Sequence, residues 1–454
     1  MNLSKIRNIH LIGIGGIGMS AIARILLAFK INVSGSDLQA SSITEDLKKK
    51  GANIKIGSNK ITNIPATTDI VVYTNAVKKI NPELKSAIRK KIKKYSYPEF
   101  LAELMNTHLP LVVAGTHGKS TTTAMVAKIF IDAGLDPSVV LGTNAPFLGG
   151  NARLGLGRYF VVEGDEFHEA FLSYDPVGLI VNNIEKDHLD FYKTEEKLLR
   201  AFAKLIGKVP VGGVVVANAE DDRLMKISRK AKSKIITFGL EKGDYQASHI
   251  TRHGELTRFA VKGPENFDLS LRVPGQHNVK NALAAAIMAM YFGIDISIIK
   301  KSLLSFQGLW RRFEIKGRSN SALIIDDYAH HPTEIKATLK AARDFFPGKR
   351  IIAIFQPHSH HRTKSLYDDF IKAFDLCDEL ILTDVYNVAG RELKQKVDIK
   401  KMADLISDRG LAVKYIKNFK NIPRSLKARA KADEILIFMG AGDITEAAGA
   451  MVRK

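Results

Sequence analysis

Short apolar runs that end in glycine or in acids recur along this chain, and each leads into a segment with helical spacing. Residues 9–14, Ile-His-Leu-Ile-Gly-Ile, read as a strand; Gly15-Gly16-Ile17-Gly18 turns the chain, and an apolar helix follows to about Phe29. Ile31 to Gly35 reads as the next strand and closes on Ser36-Asp37. This is a strand–helix–strand unit of the kind that builds parallel sheets. Asp69 to Thr74 predicts a further parallel strand with polar residues at its carboxyl end. Beyond a linker around residues 107–110, strands are expected at 159–163, 178–182, 213–218 and 234–238. From Ser321 a third series begins, with strands at 322–326, 350–355, 379–383 and 434–439. Strands alternating with helices predict an α/β protein, and the breaks predict three domains, at 1–107, 108–318 and 319–454.

Composition narrows the class. The 454 residues suffice for about three domains, and ordinary apolar and charged fractions indicate a globular protein. The single cysteine, Cys377, excludes an internal disulfide and suits a reducing compartment, so a cytoplasmic location is expected. Residues 1–8 are polar and show no signal peptide. The longest apolar run, Ala282 to Ile294, is too short to span a bilayer, so no membrane partner is expected. A net charge of +21 raises nucleic acid as a partner. Lys48-Lys49-Lys50 and the basic run Arg89 to Lys94 carry no interleaved aromatics, however, and solvated faces plus clefts for anionic substrates account for the surplus. A basic ATP-binding module docking on RNA is thus the rival reading outside enzymes.

The segment Val112-Val-Ala-Gly115-Thr-His-Gly118-Lys-Ser-Thr-Thr-Thr123 carries the most chemistry. An apolar strand meets a glycine turn, then a lysine, then hydroxyls that open a helix. Backbone N–H groups in such a turn cradle phosphate, the helix terminus adds positive dipole, Lys119 neutralises charge and Ser120 suits Mg²⁺. Gly115, Thr116, His117, Gly118, Lys119, Ser120 and Thr121 are therefore expected around ATP. The glycines stand two residues apart, where the common phosphate loop has four. The central domain is expected to be P-loop ATPase-like with a mostly parallel sheet, and the flanking domains Rossmann-like. In the first domain, Gly13, Gly15, Gly16 and Gly18 precede Asp37 at the spacing where a carboxylate meets a ribose hydroxyl, and Thr74 lines the same crevice. Those residues also suit an NAD-dependent dehydrogenase, which leaves Gly115–Ser120 unexplained, or a doubly wound domain without nucleotide.

Further clusters sit at predicted strand ends. Glu163, Asp165 and Glu166 offer hard oxygens for Mg²⁺, or a helix cap. His188, among acids after the next strand, is a second metal or phosphate contact. Asn278 and Asn281 share a helical face and suit a base edge or ribose, although Asn278 also suits plain capping. Arg312 can bridge transferring phosphate and the third domain. His330 and His331 point apart, so a metal pair of these two is not expected. Arg362 offers a fork for a carboxylate.

Taken in order, His10-Leu-Ile-Gly-Ile-Gly-Gly-Ile-Gly-Met-Ser20, Gly115-Thr-His-Gly-Lys-Ser-Thr121, Glu185-Lys-Asp-His188, Gln276-His-Asn-Val-Lys-Asn281, Arg311-Arg-Phe-Glu314, Asp326-Asp-Tyr-Ala-His-His-Pro332 and Gly440-Ala-Gly-Asp-Ile444 resemble the Mur ligases, ATP-dependent amide-forming enzymes of bacterial peptidoglycan precursor synthesis. The resemblance spans nearly the whole chain and is closest to the branch that joins L-alanine to UDP-N-acetylmuramate. It implies that the first domain takes the UDP moiety on Gly13, Gly15, Gly16, Gly18, Asp37 and Thr74. It implies ATP and Mg²⁺ in the central domain, with Lys119 on the phosphates and Ser120, Glu163 and His188 on magnesium. Asn278, Asn281 and Arg312, with Asp327 and Tyr328 of the third domain, would contact ATP, while His330, His358 and Arg362 place the amino acid. Lys119, His188, Arg312 and His330 are the implied catalytic residues, with His330 or His188 the candidate base for the amine. The chain is expected to act as a monomer or homodimer. Glu163-Gly-Asp-Glu-Phe167 and Ala170-Phe171 resemble the related ligase that attaches a recycled tripeptide, and Ser359 stands where the L-alanine enzymes usually carry arginine, so the tripeptide remains the alternative acceptor.

Overall fold

The computed structural model describes residues 5–386 and 396–453, arranged as three sheets with helices packed on them. The first sheet has five parallel strands in the order Asn53–Ile56, Asn32–Asp37, Asn8–Ile12, Ile70–Tyr73, Lys93–Ser96. Successive connections leave Asn8–Ile12 in opposite directions, so the turn after it opens onto the crevice where such sheets take ligands. In the central ten-stranded sheet, Lys234–Gly239, Val214–Asn218, Gly178–Val181, Leu109–Ala114, Tyr159–Glu163 and Ser138–Ala145 run parallel in that order. Here the chain diverges on either side of Leu109–Ala114, which puts residues 115–118 at the equivalent crevice.

The reason for this arrangement lies in the side chains of those central strands. Val112, Ala114, Val162, Leu179 and Val181 belong to one apolar core, and Leu111, Val113, Val161 and Ile180 to another, all essentially inaccessible. Strands covered on both faces read as continuous apolar runs, and only helices on each side can cover them. The helix Gln276–Tyr291 meets that demand: Ala282 to Ala289 are buried all round, against the helix Lys119–Asp132. An antiparallel extension, Tyr245–His253, Leu256–Lys262 and Phe267–Leu271, was not anticipated, nor were the short strands Asn53–Ile56, Lys93–Ser96 and Ala412–Tyr415. Most of these are short, edge or half-exposed strands with few buried positions, although Phe267–Leu271 alternates apolar and polar residues strictly.

The third sheet has the order Glu314–Ser319, Ala322–Asp327, Glu434–Met439, Arg350–Phe355, Glu379–Leu382, Ala412–Tyr415, parallel except for its first strand. The division expected after residue 318 falls inside that first strand, whose ladder already begins at Glu314. Asn151 ties the first two domains together: its amide donates to the Ile17 carbonyl at 2.6 Å and its oxygen accepts from Arg24 at 3.1 Å.

Candidate active site

The glycine turn at 115–118 is held open by asparagines that follow the neighbouring strand. Thr116 N–H donates to the Asn183 carbonyl at 3.0 Å, His117 N–H to Asn183 Oδ1 at 2.8 Å, and the Asn182 amide to Thr122 Oγ1 at 3.0 Å. Gly118 begins the helix with φ +80, and a Cβ there would lie 2.6 Å from Asn281 Oδ1. The helix therefore starts without a side-chain cap, which leaves its first-turn N–H groups for an anion. Lys119 folds back over this turn, donating to the carbonyls of Gly115 at 2.6 Å and Thr116 at 3.1 Å and lying 2.9 Å from Glu166. Burial opposes its charge, but the facing acids outweigh burial and hold its pKa above the ordinary lysine value.

Ser120 Oγ donates to Glu163 Oε2 at 3.1 Å, and Gly142 N–H to Glu163 Oε1 at 2.6 Å. Burial pushes the Glu163 carboxyl upward, a setting in which a cation partner is favoured. A hydroxyl and a carboxylate converging on one point are hard oxygen donors of the kind magnesium takes, so this pair fits that ion. His188, held at φ +52, reaches the same floor through Glu166, with its Nε2 3.8 Å from Oε1.

A cavity of about 580 Å³ adjoins this cradle, lined by Gly118, Thr121, Asn182, Asn281 and Lys280, with Arg312, Phe313 and Asp327 from the joint to the third domain. Asn278 and Asn281 both line it, but the Asn278 amide donates to the Pro274 carbonyl at 2.7 Å and its Oδ1 accepts from the Asn281 amide at 3.1 Å. Asn278 thus orients Asn281 against Gly118. The Arg312 guanidinium lies 5.0 Å from the Tyr328 ring. Its neighbour Arg311 is buried instead, reaching the Gly440 and Gly442 carbonyls and Asp326. Asp327 accepts from Phe313 and Ala329 N–H groups, both at 2.7 Å, and burial raises its pKa to about 6.

Three residues expected around the amino acid do gather. The His330 and His358 rings lie 5.8 Å apart, and Arg362 Nη1 donates to His358 Nδ1 at 3.3 Å. The Arg362 fork, however, is not open as expected: it grips both oxygens of Asp187, at 2.9 and 3.0 Å, a carboxylate of the central domain. His330 Nδ1 lies 2.9 Å from the Tyr328 carbonyl and 3.1 Å from Glu334. Burial lowers the His330 pKa, so the ring is neutral near pH 7 and can accept a proton. Ser359 caps the helix His360–Ser365 by accepting from Arg362 N–H at 3.3 Å.

The first-domain residues also converge, with roles divided. Asp37 accepts from Gly15 N–H at 2.8 Å, so its carboxylate shapes the turn itself. A Cβ on Gly13 would stand 2.6 Å from Thr74 Cγ2, and one on Gly18 would stand 2.7 Å from the Tyr97 ring. Gly16 caps the helix Ile17–Ala28. Gly18 is therefore explained by helix packing rather than by an open crevice.

Sequence reasoning passed over Glu334 and Asn183, placed Glu166 among oxygen donors for Mg²⁺ rather than against Lys119, and gave Asp187 no partner. Glu334 carried a signal: it follows His331 by three residues in a capping box. The Asp187–Arg362 pairing spans 175 positions and carries none.

Comparison with known proteins accords with this geometry. Residues 8–109 match the Mur ligase family, catalytic domain; 113–289 match the Mur ligase middle domain; 311–442 match the Mur ligase, glutamate ligase domain. A UDP-N-acetylmuramate–L-alanine ligase of Clostridium kluyveri is 42% identical over 97% of this chain and 96% of its own. Among solved structures, the UDP-N-acetylmuramate–alanine ligase of Thermotoga maritima superposes with TM-score 0.85 at 31% identity, covering 98% of both chains. A murein peptide ligase of Psychrobacter arcticus gives 0.74 at 26% identity, covering 99% of this chain and all of its own. No described helix is long and apolar enough to cross a membrane.

Proposed function

The chain belongs to the Mur ligase family, and on that premise we propose that it joins L-alanine to the lactoyl carboxylate of UDP-N-acetylmuramate at the expense of ATP. The observation that carries this reading is the meeting of the phosphate turn and the amino-acid wall: Arg362 of the third domain grips Asp187 of the central domain, and Glu334 of the third domain meets His117 of the phosphate turn. Tripeptide attachment is less favoured, since the murein peptide ligase is the more distant of the solved structures compared.

In this mechanism the turn's N–H groups and Lys119 orient the triphosphate, and Lys119 leaves Glu166 for its terminal oxygens. The lactoyl carboxylate oxygen bonds to the γ-phosphorus and the bond to ADP breaks, giving an acyl phosphate. Lys119 and Arg312 stabilise the charge spread over the transferred group. Ser120 and Glu163, with His188 at the rim, would hold Mg²⁺, which neutralises phosphate charge when bound. The alanine nitrogen then bonds to the acyl carbon and phosphate departs with its bonding pair. His330 takes the amine proton. Closure of the third domain over this seam excludes water from the acyl phosphate.

Phosphate release with UDP-N-acetylmuramate, ATP and a panel of acceptors tests the reading. L-alanine should support turnover well above glycine, serine or L-alanyl-D-glutamyl-diaminopimelate. Preference for the tripeptide would overturn the assigned acceptor while leaving the ligase chemistry intact.

A further inference from the structure

The first domain carries a buried ionic cluster beneath its glycine turn. Glu83, on the helix Pro82–Arg89, and His10, on the strand Asn8–Ile12, are both fully buried. His10 Nε2 donates to Glu83 Oε2 at 3.0 Å, and Ser36 Oγ donates to the same oxygen at 2.7 Å. The Asn63 amide, in the 3₁₀ turn Ile61–Asn63, donates to Glu83 Oε1 at 2.8 Å. On the far side of the imidazole, His10 Nδ1 lies 2.9 Å from Ser34 Oγ. We propose that Glu83 is a positioning residue for the sugar-nucleotide substrate: through Ser36 it fixes the end of the strand Asn32–Asp37, and through that strand end it fixes the glycine turn at 13–16.

The path from the carboxylate to the turn is short. The Ser36 carbonyl accepts from Gly13 N–H at 2.8 Å and from Ile14 N–H at 3.1 Å, and Asp37 Oδ2 accepts from Gly15 N–H at 2.8 Å. The turn therefore hangs by its N–H groups from two adjacent residues, and Glu83 holds the first of them. Packing leaves that strand end no slack: a Cβ on Gly35 would lie 2.7 Å from Ile14 Cδ1 and 2.8 Å from the Leu11 carbonyl oxygen. The helix bearing Glu83 also follows the strand Ile70–Tyr73 and Thr74, the residue that packs over Gly13. Both walls of the crevice are thus referred to one side chain.

Stability alone does not call for a charge here. The surroundings are a small apolar cluster of Ile12, Ile64, Val71, Leu84 and Ala87, and a well-packed apolar residue can match or exceed a buried ion pair in stability. Burial favours the neutral carboxyl, yet the hydrogen bonds from His10, Ser36 and Asn63 outweigh it and hold the Glu83 pKa below the ordinary glutamate value. An ionised carboxylate that accepts from three donors in fixed directions sets their relative positions, which apolar contact does not. Position is what a substrate-binding turn requires. The argument rests on the reading that this turn takes the UDP moiety.

Steady-state phosphate release by the full-length protein, with UDP-N-acetylmuramate and ATP varied in turn, tests this. Glu83→Gln keeps the side-chain volume, and Ser36→Ala cuts only the link from the carboxylate to the strand end. Each should raise KM for UDP-N-acetylmuramate about tenfold, the worth of one hydrogen bond, with kcat and the KM for ATP unchanged. The double variant should show no more than the larger single shift, because both changes break the same contact. Glu379→Gln is the control for lost stability: that buried carboxylate meets Arg350, Lys414 and Arg429 in the third domain, and its loss should lower the melting temperature without moving either KM. An unchanged KM for UDP-N-acetylmuramate in Glu83→Gln and Ser36→Ala, or an equal rise in Glu379→Gln, would overturn the proposal. In that event Asp37→Asn, at the turn itself, separates the two readings: a raised KM keeps the UDP site, and an unmoved one removes it as well. Should Glu83→Gln fail to fold, Ser36→Ala decides the matter.

Discussion

Replacing Lys119 by methionine should produce two separable losses. The ammonium stands 2.9 Å from Glu166, whose side chain is 2% exposed, against 18% for Lys119. Removing one partner of a buried pair costs about 3–5 kcal/mol. The partial exposure of Lys119 favours the low end, about 3 kcal/mol, or about 6–12 °C for a domain of about 200 residues. Burial already raises the Glu166 carboxyl, so uptake of a proton by that group limits the loss. Turnover responds to a different term. An ammonium about 3 Å from a transferring oxygen contributes about 5–6 kcal/mol of Coulomb energy at an effective dielectric near 20. Measured losses on removing a single donor to developing charge are about 2.7–4 kcal/mol, so turnover should fall about 10²–10³-fold. Adding Glu166→Gln removes the orphaned carboxylate and should restore most of the melting temperature, but none of the turnover. Thermal unfolding and phosphate release, measured on both variants, separate the two terms. Recovery of most wild-type turnover in the double variant would refute the role of Lys119, and an unchanged melting temperature in the single variant would refute the buried pair.

Other outcomes follow from the same contacts. Burial alone would lower the His117 pKa, but Glu185 and Glu334 outweigh it and raise the value from 6.5 to about 9. Its stabilisation is thus complete below pH 6.5 and is lost as pH rises through about 9, an effect of at most about 3 kcal/mol. Melting profiles should therefore decline over that alkaline window in the wild type and flatten in His117→Asn; parallel profiles would contradict the pairing. Gly118→Ala meets both a φ of +80 and Asn281 Oδ1 at 2.6 Å, whereas Gly134→Ala meets a φ of +72 with open space. The latter should cost only about 1 kcal/mol, while Gly118→Ala should in addition abolish ATP binding measured by calorimetry. Glu163→Gln should raise the Mg²⁺ concentration needed for half-maximal phosphate release; an unshifted requirement would remove Glu163 from the metal site.

Much of this protein could be read before it was folded. Local patterns were enough for the three series of strands, because buried parallel strands such as Leu109–Ala114 and Glu434–Met439 are apolar on both faces. They were enough for the strand, glycine turn and helix at 109–132 as well, since Gly115, Gly118 and Lys119 lie within five residues of one another. Where elements were short and polar, as in Lys93–Ser96, the pattern was too weak to find them.

What the tertiary structure alone decided was the pairing of charges across the domain joint. Arg362 read as a free fork because its partner, Asp187, is 175 positions away. Arg311 and Arg312 are adjacent in the chain, yet one braces the Gly440 turn and the other faces the cavity. Glu334 is a helix-capping acid by its spacing and the hub of three histidines by its position. Secondary structure arises from side chains a few residues apart, so periodicity records it. Electrostatic partnership depends on which surfaces the packed sheets bring together, and no spacing along the chain records that distance.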